Sequence, residues 1–260
     1  MHLGIFDNSD QASSAAAHVV INLFAQKPNA TLGVATGSTP SGLYRELRAA
    51  HAAGDFSLKK SQVFALDEYV GIAEDHPERF RNVLRRELVG KENVGLTEEG
   101  LHTPDASAED PNVAALHYDR EIGAVGGIDL QILGIGTDGH IGFNEPGGSL
   151  VSRTHAEPLA SQTITDNARF FDGDVSKVPT TCITQGLGTI MEARQIVLLA
   201  FGANKANALA QLIEGPISAK WPATILQMHP DVVVIADKAA ASTLEYTDLY
   251  VERWQLAFGG

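Results

Sequence analysis

Apolar and polar positions along this chain switch repeatedly between a period of two and a period near 3.6, which predicts alternating strands and helices. HLGIFDN (2–8) reads as a first strand. Asn8, with Gln11 three residues on, opens a capping pattern ahead of the helical period SSAAAHVVINLFAQ. ATLGVATG (30–37) is a second strand, and TPSGLYRELRAAHAAG a helix ending near Gly54. SQVFALDEY (61–69) is a third strand that terminates in acids, and HPERFRNVLRREL (76–88) a helix with Pro77 in its first turn. Residues 89–110 are irregular, and PNVAALHYDREIGAV (111–125) is helical. From Ile128 the near-continuous apolar run IDLQILG predicts a strand buried on both faces of a parallel sheet. It breaks into Gly134, Gly136 and Gly139 and delivers Asp138, His140 and Glu145 within eight residues. Residues 150–185 are weakly periodic, with short strand candidates at RTHAEPL and TTCIT. Irregular stretches of that length are uncommon in compact domains and usually functional, so this section reads as a lid. GLGTIMEAR (helix), QIVLLAFG (195–202, strand), ANKANALAQLIEG (203–215, helix) and DVVVIADKAAA (231–241, strand then helix) complete the pattern.

Strands alternating with helices give an α/β fold: a mainly parallel twisted sheet with helices on both faces. No repeat, low-complexity tract or linker interrupts it, so residues 1–260 form one expected domain with the lid inside it. In such sheets ligands bind beyond the carboxyl ends of the strands. Four polar clusters fall at that edge: Thr36–Thr39, Asp67–Glu68, Asp138–His140 and Asn204–Lys205.

Composition narrows the ligand. Nineteen lysines and arginines against 32 acids give a net charge of −13, which argues against nucleic acid and anionic lipid as main partners. Any anionic ligand must therefore be met by locally placed cations. The single Cys182 excludes an internal disulfide and fits a reducing, cytoplasmic compartment. The stretch after Met1 is too short and too acidic for a secretory signal, and no run approaches the ~20 apolar residues of a membrane helix.

Each cluster admits a chemical reading and a plainer one. ATGSTP (35–40) joins a buried strand to a helix, where free N–H groups and the Ser38 and Thr39 hydroxyls form an anion site. It lacks the lysine of a Walker loop, and the plainer reading is a turn capped by Thr39. Lys205 opens its helix, where the dipole disfavours a cation unless a bound anion offsets it; otherwise it is a solvated lysine. Asp67 is a general base in a crevice, or an acid capping the next turn. Gly134–Gly139 spells GxGxxG, but Pro146 and a glycine pair follow where the dinucleotide fingerprint needs a helix, so a nicotinamide cofactor is set aside. His140 between Asp138 and Glu145 makes an acid–base relay in preference to a metal site, whose ligand spacing this is not.

With these clusters assembled, the sequence resembles the glucosamine-6-phosphate deaminase (isomerase) family. ATGSTP, FALDEYVGI followed by HPERF, LGIGTDGHIGFNEPGGSLVSRT, NARFFDGDVSKVP and FGANKANAL carry the resemblance, in family order across nearly the whole chain. It implies a nucleotide-binding-like (Rossmann-like) α/β fold with no nucleotide, cofactor or metal. The implied reaction converts D-glucosamine 6-phosphate and water to D-fructose 6-phosphate and ammonia. By the same resemblance Asp67 is the proton-transfer base, and His140, assisted by Asp138 and Glu145, the ring-opening acid/base. Thr36, Gly37, Ser38, Thr39, Arg169 and Lys205 fall on the phosphate-site positions. Regulated members bind N-acetylglucosamine 6-phosphate between subunits through basic residues after the NEP motif; here SLVSRTHAEPLA places His155 and Glu157 there. Glu157 would repel a phosphate, so hyperbolic kinetics are expected. The resemblance leaves monomer, trimer and hexamer open. A galactosamine-6-phosphate deaminase, a 6-phosphogluconolactonase-like hydrolase and a non-catalytic phosphosugar sensor are the competing readings.

Overall fold

The computed structural model describes residues 1–259. Its elements run, in chain order, β1 (His2–Phe6), α1 (Ser9–Gln26), β2 (Leu32–Val34), α2 (Ser38–Ala53), β3 (Val63–Ala65), β4 (Asp67–Tyr69), α3 (Phe80–Leu88), β5 (Leu101–His102) and α4 (Pro111–Ala124). There follow β6 (Leu130–Gly134), β7 (His155–Pro158), α5 (Ser161–Asn167), β8 (Thr181–Thr184), α6 (Leu187–Ile190), β9 (Gln195–Ala200), α7 (Ala206–Glu214), β10 (Val232–Asp237) and α8 (Thr247–Phe258). Seven strands form one sheet in the order β1-β10-β9-β6-β2-β3-β5, with every neighbouring pair parallel. The other three, β4-β8-β7, form a small antiparallel sheet beyond its carboxyl edge.

Alternation along the central strands divides the core between the two faces. Ile196, Leu198 and Ala200 of β9 and Val232, Val234 and Ala236 of β10 join one cluster, closed by Tyr118 and Ile122 of α4 and Leu209 and Leu212 of α7. Val197, Leu199, Val233 and Ile235 turn the other way, toward Ala16 and Val20 of α1, Leu43 and Leu47 of α2 and Leu84 of α3. Each fully buried Val, Leu or Ile gains about 1.5–3 kcal/mol by leaving water. That double-sided burial accounts for the near-continuous apolar runs in the sequence. Beyond the main sheet, Tyr69, Phe143, Phe171 and Cys182 make a separate aromatic-rich cluster under the small sheet.

The parallel sheet wrapped on both faces is as the pattern predicts, and several boundaries are not. SQVFALDEY is two strands. After Leu66, whose N–H still bonds Val34 O, the chain leaves β2 and pairs antiparallel with β8, Asp67 opposite Thr184. Asp67 therefore opens a strand of the small sheet, two residues past the end of β3. Helix α3 starts at Phe80, with Pro77 in the preceding turn, because the buried Glu68 carboxylate takes the N–H groups of Phe80 and Arg81 at 3.0 and 2.9 Å. Residues 89–110 contain the edge strand β5, and the section 150–185 is more ordered than a bare loop, holding β7, α5 and β8. The helix expected within GLGTIMEAR spans only Leu187–Ile190. The helix expected straight after DVVVIAD is a series of turns; the regular helix comes later, as α8.

At the N-terminus the capping pattern is realised with a shift of one residue. Asn8 Oδ1 accepts from Gln11 N–H at 3.0 Å, while Gln11 Oε1 accepts from Asp7 N–H at 3.2 Å.

Candidate active site

The carboxyl ends of β2, β3, β6 and β9, which are neighbours in the sheet, open onto one cavity of about 830 Å³. Thr36, Gly37, Ser38, Thr39, Asp67, His140, Arg169 and Lys205 all line it. Asp138 and Glu145 stand behind, reaching it through the His140 ring. The structure thus brings all ten sequence-predicted site residues to one place.

The β2–α2 turn is built for an anion. Gly37, at φ 99° and ψ −176°, is the cap of α2, a conformation closed to residues with a Cβ, and no side chain caps the helix. Ser38 and Thr39 thus occupy the first helical turn, and Thr39 is not the cap. The N–H groups of that turn lack intrahelical acceptors and lie at the cavity wall. Across the cavity, Lys205 closes the 3-10 turn Ala203–Lys205 after β9. Its pKa is lowered, first by burial and further by the charge of Arg169, with Asp138 and Asp166 acting in opposition. Arg169 comes from the 3-10 turn Ala168–Phe170 after α5, its guanidinium 4.7 Å from the centre of the Phe170 ring. Two cations repelling one another beside a row of free N–H groups define a site that an anion would relieve.

Asp67 is only 7% exposed. Burial, and after it the charge of Glu68, pushes its pKa up to about 8, which makes its carboxylate, once ionised, a far stronger base than an exposed aspartate. Glu68, fully buried, is occupied differently: it accepts N–H bonds from Tyr69, Phe80 and Arg81 and so fixes the start of α3 against β4. The plainer reading of an acid capping the next turn belongs to Glu68, not to Asp67. Arg79 lies half-buried beside it, Nε 3.9 Å from Glu68 Oε2.

His140 Nδ1 lies 2.8 Å from Asp138 Oδ1, off the N–H axis, and 3.9 Å from Glu145 Oε2. Asp138 Oδ1 also accepts the His140 backbone N–H at 3.2 Å. Burial pushes the Asp138 carboxyl up, but its contacts with His140 outweigh that and hold it at about 2. Gly136 is required at this point: a Cβ there would run into the His140 ring and Asp138 Oδ1. No helix opens at Gly139, so the formal GxGxxG serves this turn and not a dinucleotide. The donor atoms of Asp138, His140 and Glu145 lie within 4.8 Å of one another, a reach that a divalent cation could also span.

The end of β8 locks the two halves of this chemistry together. Thr184 Oγ1 accepts Phe143 N–H at 3.1 Å, Gln185 O accepts from Asn144 Nδ2 at 2.9 Å, and Gln185 Nε2 donates to Ala65 O at 3.0 Å. Thr184, Gln185 and Asn144 went unread in the sequence; only the position of Asn144 inside NEP hinted at a role.

The comparisons with known proteins fit this arrangement. The profile described as glucosamine-6-phosphate isomerases/6-phosphogluconolactonase matches residues 7–235. The chain belongs to that family. A glucosamine-6-phosphate deaminase from Mycolicibacterium smegmatis is 49% identical over 255 residues, covering 98% of this chain and 97% of that one. Another from Beutenbergia cavernae is 51% identical over 250 residues, covering 96% and 95%. Among solved structures, a monomeric glucosamine-6-phosphate deaminase superposes with a TM-score of 0.89 at 36% identity, covering 93% of this chain and 99% of that one. A 6-phosphogluconolactonase from Trypanosoma cruzi shares the fold, with a TM-score of 0.77 at 20% identity over 94% and 97% of the two chains. The deaminase and lactonase branches of the family thus share a scaffold, and the residues in the cavity must separate them.

Proposed function

We propose that this chain converts D-glucosamine 6-phosphate and water to D-fructose 6-phosphate and ammonia. The observation that carries the proposal is the meeting, in one cavity, of a buried base, a carboxylate–imidazole relay and an anion cradle. A sugar phosphate spans such a site with its phosphate at Lys205, Arg169 and the α2 N-terminus, and its C1–C2 end toward Asp67 and His140.

Catalysis then follows from proton placement. His140 takes the proton of the anomeric hydroxyl as the C1–O5 bond breaks and O5 gains one, giving the open aldehyde. Asp138 and Glu145 orient the ring and stabilise the imidazolium that forms. Asp67 removes the C2 proton while the C1 oxygen gains one, leaving an enolamine. The same carboxyl returns its proton to C1, which makes C2 an imine. Water adds to C2, the C2–N bond breaks, and ammonia and the ketose leave. Proton transfer at C2 and C1 gives Asp67 its function; a lactonase would need no such base and would release no ammonia. No step calls on a metal or a nucleotide.

Every group in this scheme comes from this chain. Section 150–185 serves as the lid, supplying Arg169 to the phosphate. Among the described residues no helix is long and apolar enough to cross a membrane. The single thiol, Cys182, is buried and unpaired, in keeping with work in the cytoplasm on amino-sugar catabolism.

Ammonia release, coupled to glutamate dehydrogenase, tests the reading on glucosamine 6-phosphate and galactosamine 6-phosphate, and acid release in a pH-indicator assay tests 6-phosphogluconolactone. Turnover of the first with release of ammonia is expected. Preference for the C4 epimer would reassign the substrate, and lactone hydrolysis alone would overturn the proposal.

A further inference from the structure

One ten-residue segment, Ser161–Phe170, touches all three parts of the site. Thr163 Oγ1, on a residue 8% exposed, donates to Glu145 Oε1 at 2.7 Å. Asn167 Nδ2 donates to Tyr69 Oη at 2.8 Å, two residues along β4 from Asp67. Arg169, in the turn that follows, faces the cavity with Lys205.

Thr163 is the third residue of α5, and the carbonyl four residues before it, that of Leu159, lies outside the helix, so its hydroxyl is not drawn into the backward bond that Thr165 makes to Ser161 O at 2.9 Å. Thr163 instead points out of its helix, across to the loop that follows β6. There it holds one oxygen of Glu145, and the other, Oε2, faces His140 Nδ1 at 3.9 Å. The backbone beneath is held separately: Asn144 Nδ2 donates to Ile141 O and Gln185 O, each at 2.9 Å. Nothing within that loop fixes the tip of the Glu145 side chain. A β-branched donor, stiff at χ1 and buried, does so with little further loss of freedom.

We propose that Thr163 is the positioning residue that sets Glu145 against His140, so that seating the segment that carries Arg169 also orients the ring-opening relay. The proposal rests on the deaminase reading above and deepens it: the segment that supplies Arg169 to the phosphate also supplies the donor that aims Glu145 at His140. Thr163 already holds Glu145 at 2.7 Å, so the acid–base pair is set before the sugar binds, and loss of that donor falls on the chemical step and not on phosphate affinity.

The test compares Thr163→Val, which keeps the shape and removes the donor, with Thr163→Ser, which keeps the donor. Loss of a hydrogen bond to a charged group predicts a fall in kcat of about tenfold for Val, with KM within about twofold. Affinity for glucitol 6-phosphate, an open-chain analogue measured by calorimetry, should not change, and Thr163→Ser should recover most of kcat. A Val variant with wild-type kcat overturns the proposal. So does a Ser variant that falls as far as Val, or a loss confined to KM and analogue affinity. If Thr163→Val fails to fold, Thr163→Ala is held to the same limits. Wild-type protein that releases no ammonia would instead sink the deaminase reading, which separates the two failures.

Discussion

Replacing Asp67 with asparagine should inactivate the protein and stabilise it in the same stroke. The carboxyl is held at about 8 against an ordinary value of 3.8, by burial first and the Glu68 charge second. A folded pKa above the unfolded one means that stability is greatest at low pH and is lost as pH rises toward the folded value. At about 1.4 kcal/mol per pH unit, the wild type gives up at most about 6 kcal/mol between pH 4 and pH 8 through this one group. Asparagine does not titrate and escapes that loss. Its buried amide adds a penalty of about 1–3 kcal/mol, but that penalty does not vary with pH. The quantity to measure is therefore the slope. Urea unfolding of both proteins at pH 5, 6, 7 and 8 should show the Asn variant gaining on the wild type by several kcal/mol across the series. In parallel, kcat for ammonia release should fall by about 10²–10⁴ while sugar-phosphate binding persists. A stability difference that stays flat with pH would refute a buried, elevated Asp67, and near-normal turnover would remove it as the base.

Other changes read out the remaining parts of the site. Lys205→Ala should raise KM by about ten- to a hundredfold, the worth of a charged hydrogen bond, with a smaller effect on kcat; unchanged KM would take Lys205 out of the phosphate site. Gly136→Ala should depress kcat far more than it destabilises the fold, because the methyl meets His140 and Asp138; steady-state kinetics beside a thermal melt decide this. Substrate saturation should be hyperbolic and indifferent to N-acetylglucosamine 6-phosphate. The section after NEP holds His155 Nε2 against Glu157 Oε2 at 3.1 Å, and Arg153 is engaged by Asp119 and Glu192, so no free cation is offered there; a sigmoidal curve would contradict this.

The central strands were legible because burial on both faces leaves no doubt in their composition: QIVLLA and VVVIAD can be little else. The clusters at the strand ends were legible for a related reason, since a parallel sheet sends every such loop to one rim. The rest depends on contacts distant in sequence. Nothing in FALDEY marks the break at Leu66; the small sheet claims Asp67 through pairing with Thr184, and the Gln185 amide bonds across the joint. The start of α3 is set by a carboxylate twelve residues upstream, overriding the favourable Pro77. Helix α8 buries no residue fully, so its pattern stood out little from the turns before it. Thr163 belongs to no motif, and its partner was identifiable only once the chain had folded.

The aromatic cluster beneath β4-β8-β7 has a practical consequence. It holds the only thiol in the molecule, Cys182, fully buried and apart from the two large apolar layers. A thiol-specific reagent added under native conditions would react only when that outer flap breathes open. Labelling kinetics would thus time excursions of the small β4-β8-β7 sheet while the seven-stranded scaffold stays intact.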